Sequence, residues 1–338
     1  MKRILIISRD PALSFRQMKD GNGISHDAQF QFFINDFDCQ PDFVVVNGKG
    51  LRVEREFQVP RKRTILLTGE PYGVLHYPRK YYSQFGAVCS CQEGITDYPG
   101  GKVYYTQAAI PWYVGVVFNP DNTCRFTMNF DDVANAAPKK EKLISIISST
   151  KSFSRGHVDR LRFVKALKER YGDQVDIFGH GFNNFDDKWD VLAPYKYHIV
   201  IENSRSDYYW TEKIADCFLA GTYPLYYGSR TIGRSFPENS YTPIDIRKPK
   251  EAFRAIDRAV EMHCYEHSIE VLRECKEMIL GKYNFFSLIE QVCREIPVDG
   301  EQGTTLLYPM RHFFSFHNMY LYTIGRNMYK LMGRKYKQ

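Results

Sequence analysis

The sequence predicts an α/β fold built as two Rossmann-like domains facing a cleft. Three observations carry this. Short continuous apolar runs recur, bounded by Gly, Asn and Pro, as buried parallel strands require. Stretches of helix length separate them, which is the α/β pattern. A polar segment, Ala137-Pro138-Lys139-Lys140-Glu141-Lys142, interrupts the series, and the alternation restarts after it. With 338 residues and roughly 150 residues per domain, the division expected is an N-terminal α/β domain over 1–140, a C-terminal α/β domain over 141–300, and a basic, aromatic tail over 301–338.

In the first half the expected strands are Ile4–Ser8, Asp42–Asn47, Thr64–Gly69 and Ala87–Ser90, with helix-length linkers such as Ser25–Phe37. In the second half, Leu143–Ser148 opens the series. Val158, Leu161, Val164 and Leu167 then mark a helix closed by Tyr171-Gly172. Val175–Gly179 and Tyr197–Glu202 are the next strands. Thr211 opens a helix with Ile214, Ala215, Phe218 and Leu219 facing inward and Gly221 stopping it, before a last strand, Thr222–Tyr227.

Composition narrows the function. The content is 43% hydrophobic and 25% charged, that of a globular protein. The net charge is +7, but Arg311, Arg326, Lys330, Arg334, Lys335 and Lys337 contribute six of these charges, with no acid after position 310. The body is thus nearly neutral, which argues against nucleic acid as a partner, since that would need a broad basic face. Eight scattered cysteines, of which only Cys89 and Cys91 lie close, read as reduced structural thiols. The Asp131-Asp132 pair reads as a loop or helix cap and not a metal site. The opening apolar run, Ile4–Ile7, is too short for a signal peptide, and no run reaches the ~20 residues of a membrane-spanning helix. A cytoplasmic location is expected.

The chemistry concentrates between Tyr195 and Lys213. Glu202 and Asn203 end a strand, where ligands of open α/β sheets bind. The helix start at Thr211 offers unpaired N–H groups suited to a pyrophosphate. Lys213, a cation in the first turn, is locally unfavourable there unless an anion sits beside it. Glu212 can accept from ribose hydroxyls. A capped helix start with a solvated Glu212–Lys213 pair explains the same residues equally well on these grounds.

The order Ile201-Glu202-Asn203-Ser204, then Tyr209, then Thr211-Glu212-Lys213, then Ala220-Gly221-Thr222-Tyr223-Pro224-Leu225-Tyr226-Tyr227-Gly228-Ser229 resembles the signature of glycosyltransferase family 10, the α-1,3-fucosyltransferases, in its bacterial form. The resemblance covers Lys151–Ser229 well and the first domain loosely. It implies a GT-B-like fold and GDP-fucose as donor, with no obligatory metal or cofactor. By the same resemblance Lys213 and Tyr209 contact the pyrophosphate, Glu212 holds the ribose or fucose, and Glu202 and Asn203 line the donor site. The family's phosphate-binding Arg matches Arg160, with Arg155 as the rival. Ile201 and Trp210 depart from the residues common in the family, and the membrane anchor and disulfides of eukaryotic members are not expected here.

In the first domain, Thr68-Gly69-Glu70-Pro71 is similar to the family's Gly-Glu segment and makes Glu70 the candidate general base. The expected function is inverting transfer of L-fucose from GDP-fucose to a hydroxyl of a glycan acceptor of lipopolysaccharide or capsule type. Alternatives are another nucleotide sugar on the same scaffold, separated by nucleotide preference, and a non-catalytic binding scaffold, separated by donor hydrolysis. In the tail, Phe313, Phe316, Tyr320, Ile324, Met328 and Leu331 fall near one helical face. That pattern suits either peripheral attachment to an anionic membrane surface carrying a lipid-linked acceptor or a closing helix on the first domain.

Overall fold

The computed structural model describes residues 1–150, 152, 154–314, 323–325, 327, 328 and 330–332. Two parallel sheets organise it. The first runs, in spatial order, Phe30–Ile34, Lys2–Ile7, Phe43–Asn47, Thr64–Leu67, Ala87–Ser90 and Lys102–Tyr105. The second runs Val175–Phe178, Lys142–Ile147, Tyr195–Ile201, Tyr223–Tyr227 and Thr242–Pro243. All pairings within both sheets are parallel. In each, the strand first in sequence lies between the second and the third. Each sheet therefore reverses its winding between its first and third strands, and a crevice opens there at the carboxyl edge. Two Rossmann-like halves of this kind, facing one cleft, make the fold GT-B-like.

The second half follows the expected alternation. The helix Arg155–Tyr171 connects its first two strands and buries Val158, Leu161, Phe163, Val164 and Leu167. The helix Glu212–Leu219 ends before Gly221, whose φ of +60° is the left-handed conformation a helix stop favours. The interrupting polar segment is anchored, because Lys140 Nζ donates to Ala193 O, Ala220 O and Thr222 Oγ1 at 2.8–2.9 Å. Asn129 and Asp132 form a reciprocal capping box on the helix Phe130–Asn135, the cap expected of that acidic pair.

The first half departs from expectation. Ser25–Phe37 is not a helix. Phe30–Ile34 within it is an edge strand, with Phe30 and Phe32 buried and Gln31 between them less so. The apolar cover of one sheet face arrives from far along the chain instead. The helix Phe285–Glu295 packs Phe285, Phe286, Ile289 and Val292 against Ile4, Ile6, Phe30 and Val45. The strand Thr305–Leu307 then pairs with Arg55–Phe57. Trp112, Val114 and Val133 conversely join the core of the second half. No helix among the described residues is long and apolar enough to cross a membrane.

Most of the expected tail helix, including Phe316 and Tyr320, lies outside the described residues. Phe313 packs on the first-half core, while Ile324, Met328 and Leu331 are exposed.

Candidate active site

The strand Tyr195–Ile201 is buried over nearly its whole length because sheet neighbours flank it on both sides. Its continuous apolar run stops at Glu202, directly behind the wall of a cleft of about 490 Å3 between the halves that Ile201 and Asn203 line. Glu202 is 1% exposed. Its carboxylate accepts from Thr211 N at 2.9 Å and from Thr211 Oγ1 at 2.8 Å, and meets Lys213 Nζ at 3.3 Å. Thr211 is also the N-cap of the helix Glu212–Leu219, its hydroxyl accepting from Lys213 N. One threonine thus fixes both the helix start and the acid that faces it.

Gly228 makes this approach possible. A methyl group there would fall on the Tyr226 hydroxyl and 2.6 Å from Glu202 Cγ. Gly228→Ala is expected to lower stability by about 1–3 kcal/mol, the usual cost of overpacking, and thermal unfolding reads it. An unchanged midpoint would mean the loop yields freely.

Among the described residues, the lysine and arginine side chains lining the cleft are paired with carboxylates, with one exception. Lys213 lies between Glu202 and Glu212, 3.4 Å from the latter. Lys188 lies between Asp216 at 2.8 Å and Glu212 at 3.5 Å. Burial would raise the Glu212 carboxyl, yet Lys213 and Lys188 hold it down to about 2. The solvated Glu212–Lys213 pair considered above is therefore excluded, since Glu212 is 8% exposed. Nor does Lys213 lack an anion, because the protein's own carboxylates answer it.

The exception is Arg160. On the inward face of Arg155–Tyr171 it is 7% exposed. Its guanidinium donates to Asn203 Oδ1 at 3.3 Å and Ser149 Oγ at 3.2 Å, and its buried Nε has no partner among the described residues. Among the described residues no carboxylate compensates it, and burial pulls it down to about 10. A buried guanidinium left in this state is costly and suits an incoming anion. Arg155, its rival, is exposed at the helix start.

Across the cleft stands Glu70, at the carboxyl end of Thr64–Leu67. Gln92 Nε2 holds its main-chain carbonyl at 2.8 Å, and its side chain lines the same cleft. Burial raises its carboxyl; Lys213 opposes this, and Glu212 and Glu202 add to it. Glu70, Arg160, Asn203, Glu212 and Lys213 all line the cleft. Glu202 and Thr211 stand immediately behind, bonded to each other. Tyr209 does not line it. Its ring is buried beside Cys91 and Ala108 of the first half, wedged between the halves.

Sequence reasoning missed Lys188, Asp216, His198 and Tyr113. His198 Nδ1 sits 2.7 Å from Ser145 Oγ, and burial, with Lys188 nearby, pushes it down to about 3, so it is neutral. Asp216 accepts from Tyr113 N at 2.8 Å, and the Tyr113 hydroxyl donates to Asp10 Oδ2 at 3.0 Å, joining the two halves. Its signal was an acid in the otherwise inward-facing apolar stripe of Glu212–Leu219; Lys188 had none.

Residues 137–255 match the family model for glycosyltransferase family 10 (fucosyltransferase), C-terminal part. Over this segment the chain is similar to glycosyltransferase family 10. The matched segment contains Arg160, Glu202, Asn203, Tyr209, Thr211, Glu212 and Lys213, whereas Glu70 precedes it. An alpha-(1,3)-fucosyltransferase, FucT, of Helicobacter pylori is 29% identical over 85 residues, 25% of this chain and 17% of that protein. The GDP-fucose protein O-fucosyltransferase 3 of Danio rerio is 25% identical over 172 residues, 41% of this chain and 37% of that protein. The matches thus span well under half of these curated relatives. A crystal structure of an α1,3-fucosyltransferase with GDP-fucose is similar with a TM-score of 0.44 and 15% identity, covering 96% of this chain and 90% of that one.

Proposed function

We propose that this protein is an inverting glycosyltransferase that moves L-fucose from GDP-fucose to a hydroxyl of a cell-surface glycan of lipopolysaccharide or capsule type. The observation that carries the reading is Arg160, a buried cation with no carboxylate among the described residues, inside the matched segment and on the cleft wall. It fits a diphosphate.

In this reading the acceptor hydroxyl gives its proton to Glu70 as its oxygen attacks the anomeric carbon. The bond from that carbon to the diphosphate breaks on the opposite face. Negative charge then grows on the departing phosphate oxygen, where Arg160 and Lys213 stabilise it. Glu212 holds the ribose or fucose hydroxyls, and Glu202 and Asn203 fix Lys213 and Arg160 in place. Tyr209 acts from behind this wall by setting how the halves meet. Protein cations supply the charge stabilisation, so the reading calls for no obligatory metal. The basic tail after Met310 attaches the enzyme to the inner face of the cytoplasmic membrane, where a lipid-linked acceptor would lie. A version ending near Met319 is then expected to stop pelleting with anionic vesicles at low salt, and equal pelleting of both versions removes this part.

The nucleotide is tested by thermal shift. GDP at 100 times its dissociation constant adds about 2.7 kcal/mol of stability, and UDP and CDP at the same concentration are expected to add less. An equal or larger shift with UDP would sink the GDP assignment.

A further inference from the structure

The first sheet has its own switch point, between Lys2–Ile7 and Phe43–Asn47, whose neighbours in the sheet lie on opposite sides. The corresponding crevice of the second sheet, between Lys142–Ile147 and Tyr195–Ile201, leads to Ser149 and Asn203, the partners of Arg160. At the first switch point there is a separate pocket of about 380 Å3. Its walls carry Arg9, Lys49, Arg52 and Arg311 and no acidic residue.

The local chain is shaped to present these cations. Gly50 follows Lys49 at a point where a Cβ would fall on the Ile7 carbonyl, and Gly48 before it has a φ of +57°. The turn Gly48-Lys49-Gly50 therefore accepts little but glycine on either side of Lys49. Arg9 is fixed rather than trailing in solvent, its Nη2 donating to Leu51 O at 2.7 Å and its Nε to Gly50 O at 3.3 Å. Pro309, Met310 and Phe314 form the opposite, apolar wall. None of the four cations is paired with a carboxylate among the described residues. Burial, with Arg52 and Arg311 nearby, lowers the Arg9 guanidinium, as expected of like charges gathered without a counter-ion.

We propose that this pocket is an anion subsite on the acceptor side, which binds a phosphate or carboxylate group carried by the acceptor glycan. The argument for a group on the acceptor is position and shape. The pocket is concave and small, with an apolar wall fitted to a sugar ring, and it lies on the sheet that also supplies Glu70. A flat membrane surface would use a convex basic face. Lys49 is also among the charges that lower the Glu70 carboxyl, which puts the subsite within electrostatic reach of the candidate base. The inference rests on the transferase reading for the word acceptor, and its binding test is independent of that reading.

The test measures binding of glucose 6-phosphate and of glucuronate against glucose, by titration calorimetry on the full chain with GDP present to fill the donor site. The charged sugars are expected to bind at least tenfold tighter than glucose. Lys49→Gln and Arg52→Gln are each expected to weaken them about tenfold, as loss of a charge-assisted contact does, with the GDP-induced thermal shift unchanged. Charged sugars binding no tighter than glucose, or binding that both variants leave intact, would overturn the proposal. So would loss of pelleting with phosphatidylglycerol vesicles in these variants when the charged sugars do not bind, because the pocket would then read a membrane surface. Failure of GDP to shift the unfolding midpoint would instead count against the transferase reading.

Discussion

Replacing Glu70 by glutamine is expected to cut turnover by about two to four orders of magnitude, the usual worth of a positioned general base, while GDP affinity stays near that of the unaltered protein. The substitution keeps the shape of the side chain and its reach into the cleft. It removes only the ability to accept a proton from the acceptor hydroxyl. Gln92 holds the Glu70 carbonyl through its own side chain, so the loop has no reason to move. The raised carboxyl of Glu70 adds a pH dependence whose sign is fixed. A base works only when deprotonated, so kcat/KM falls as pH drops through the folded-state pKa of Glu70. That acid limb is expected above the ordinary carboxylate value of 4.5, and it should vanish from the residual activity of Glu70→Gln. A variant with full turnover, or one that keeps the limb, would assign the proton to another group.

How much of this was legible in the sequence differs between the halves. Tyr197–Glu202 read as a strand because a central parallel strand is apolar on both faces, and such a run is visible locally. Thr211 read as a helix start because capping is local chemistry. Ser25–Phe37 was misread for the opposite reason. Phe30 and Phe32 alternate over only a few residues, and what buries them is Phe285–Glu295, more than 250 positions away, so nothing nearby marks the segment as an edge strand. Within the site, Glu202 and Glu212 were visible as acids but their state was not. The cations that answer Glu212 include Lys188, which comes 24 positions earlier, and that pairing exists only after folding. Lys213 looked like a cation awaiting a ligand because its two carboxylate neighbours could not be placed without the fold. Arg160 stood beside Leu161 at the margin of an apolar stripe, and its burial without an acid is likewise a product of three elements meeting.

Arg160→Met is expected to weaken GDP binding by about 1.5–3 kcal/mol, the worth of hydrogen bonds to a charged group, while the free protein stays as stable or becomes more so. The two effects have one cause. In the free protein the guanidinium is almost wholly removed from water and has, among the described residues, only Asn203 and Ser149 as acceptors. Its desolvation is not repaid by a carboxylate, so an apolar side chain of similar length relieves the fold. Asn203 and Ser149 each lose one donor, and both are partly exposed, so water can replace it. With a diphosphate bound the balance reverses, because the cation then gains the partner it lacks. Lys213→Ala serves as the contrast. It strands Glu202, whose carboxylate is buried, and leaves Glu212 with Lys188 alone, so it should lower affinity and also cost the fold several kcal/mol (about 3–5 when one partner of a buried pair is removed). Thermal unfolding of both variants with and without GDP separates the cases. Arg160→Met should show an unchanged or raised midpoint alone and a smaller rise with GDP, whereas Lys213→Ala should show a lowered midpoint in both. A large loss of stability in Arg160→Met without GDP would mean that the guanidinium is a structural tie between Ser149 and Asn203, and the diphosphate would need another anchor.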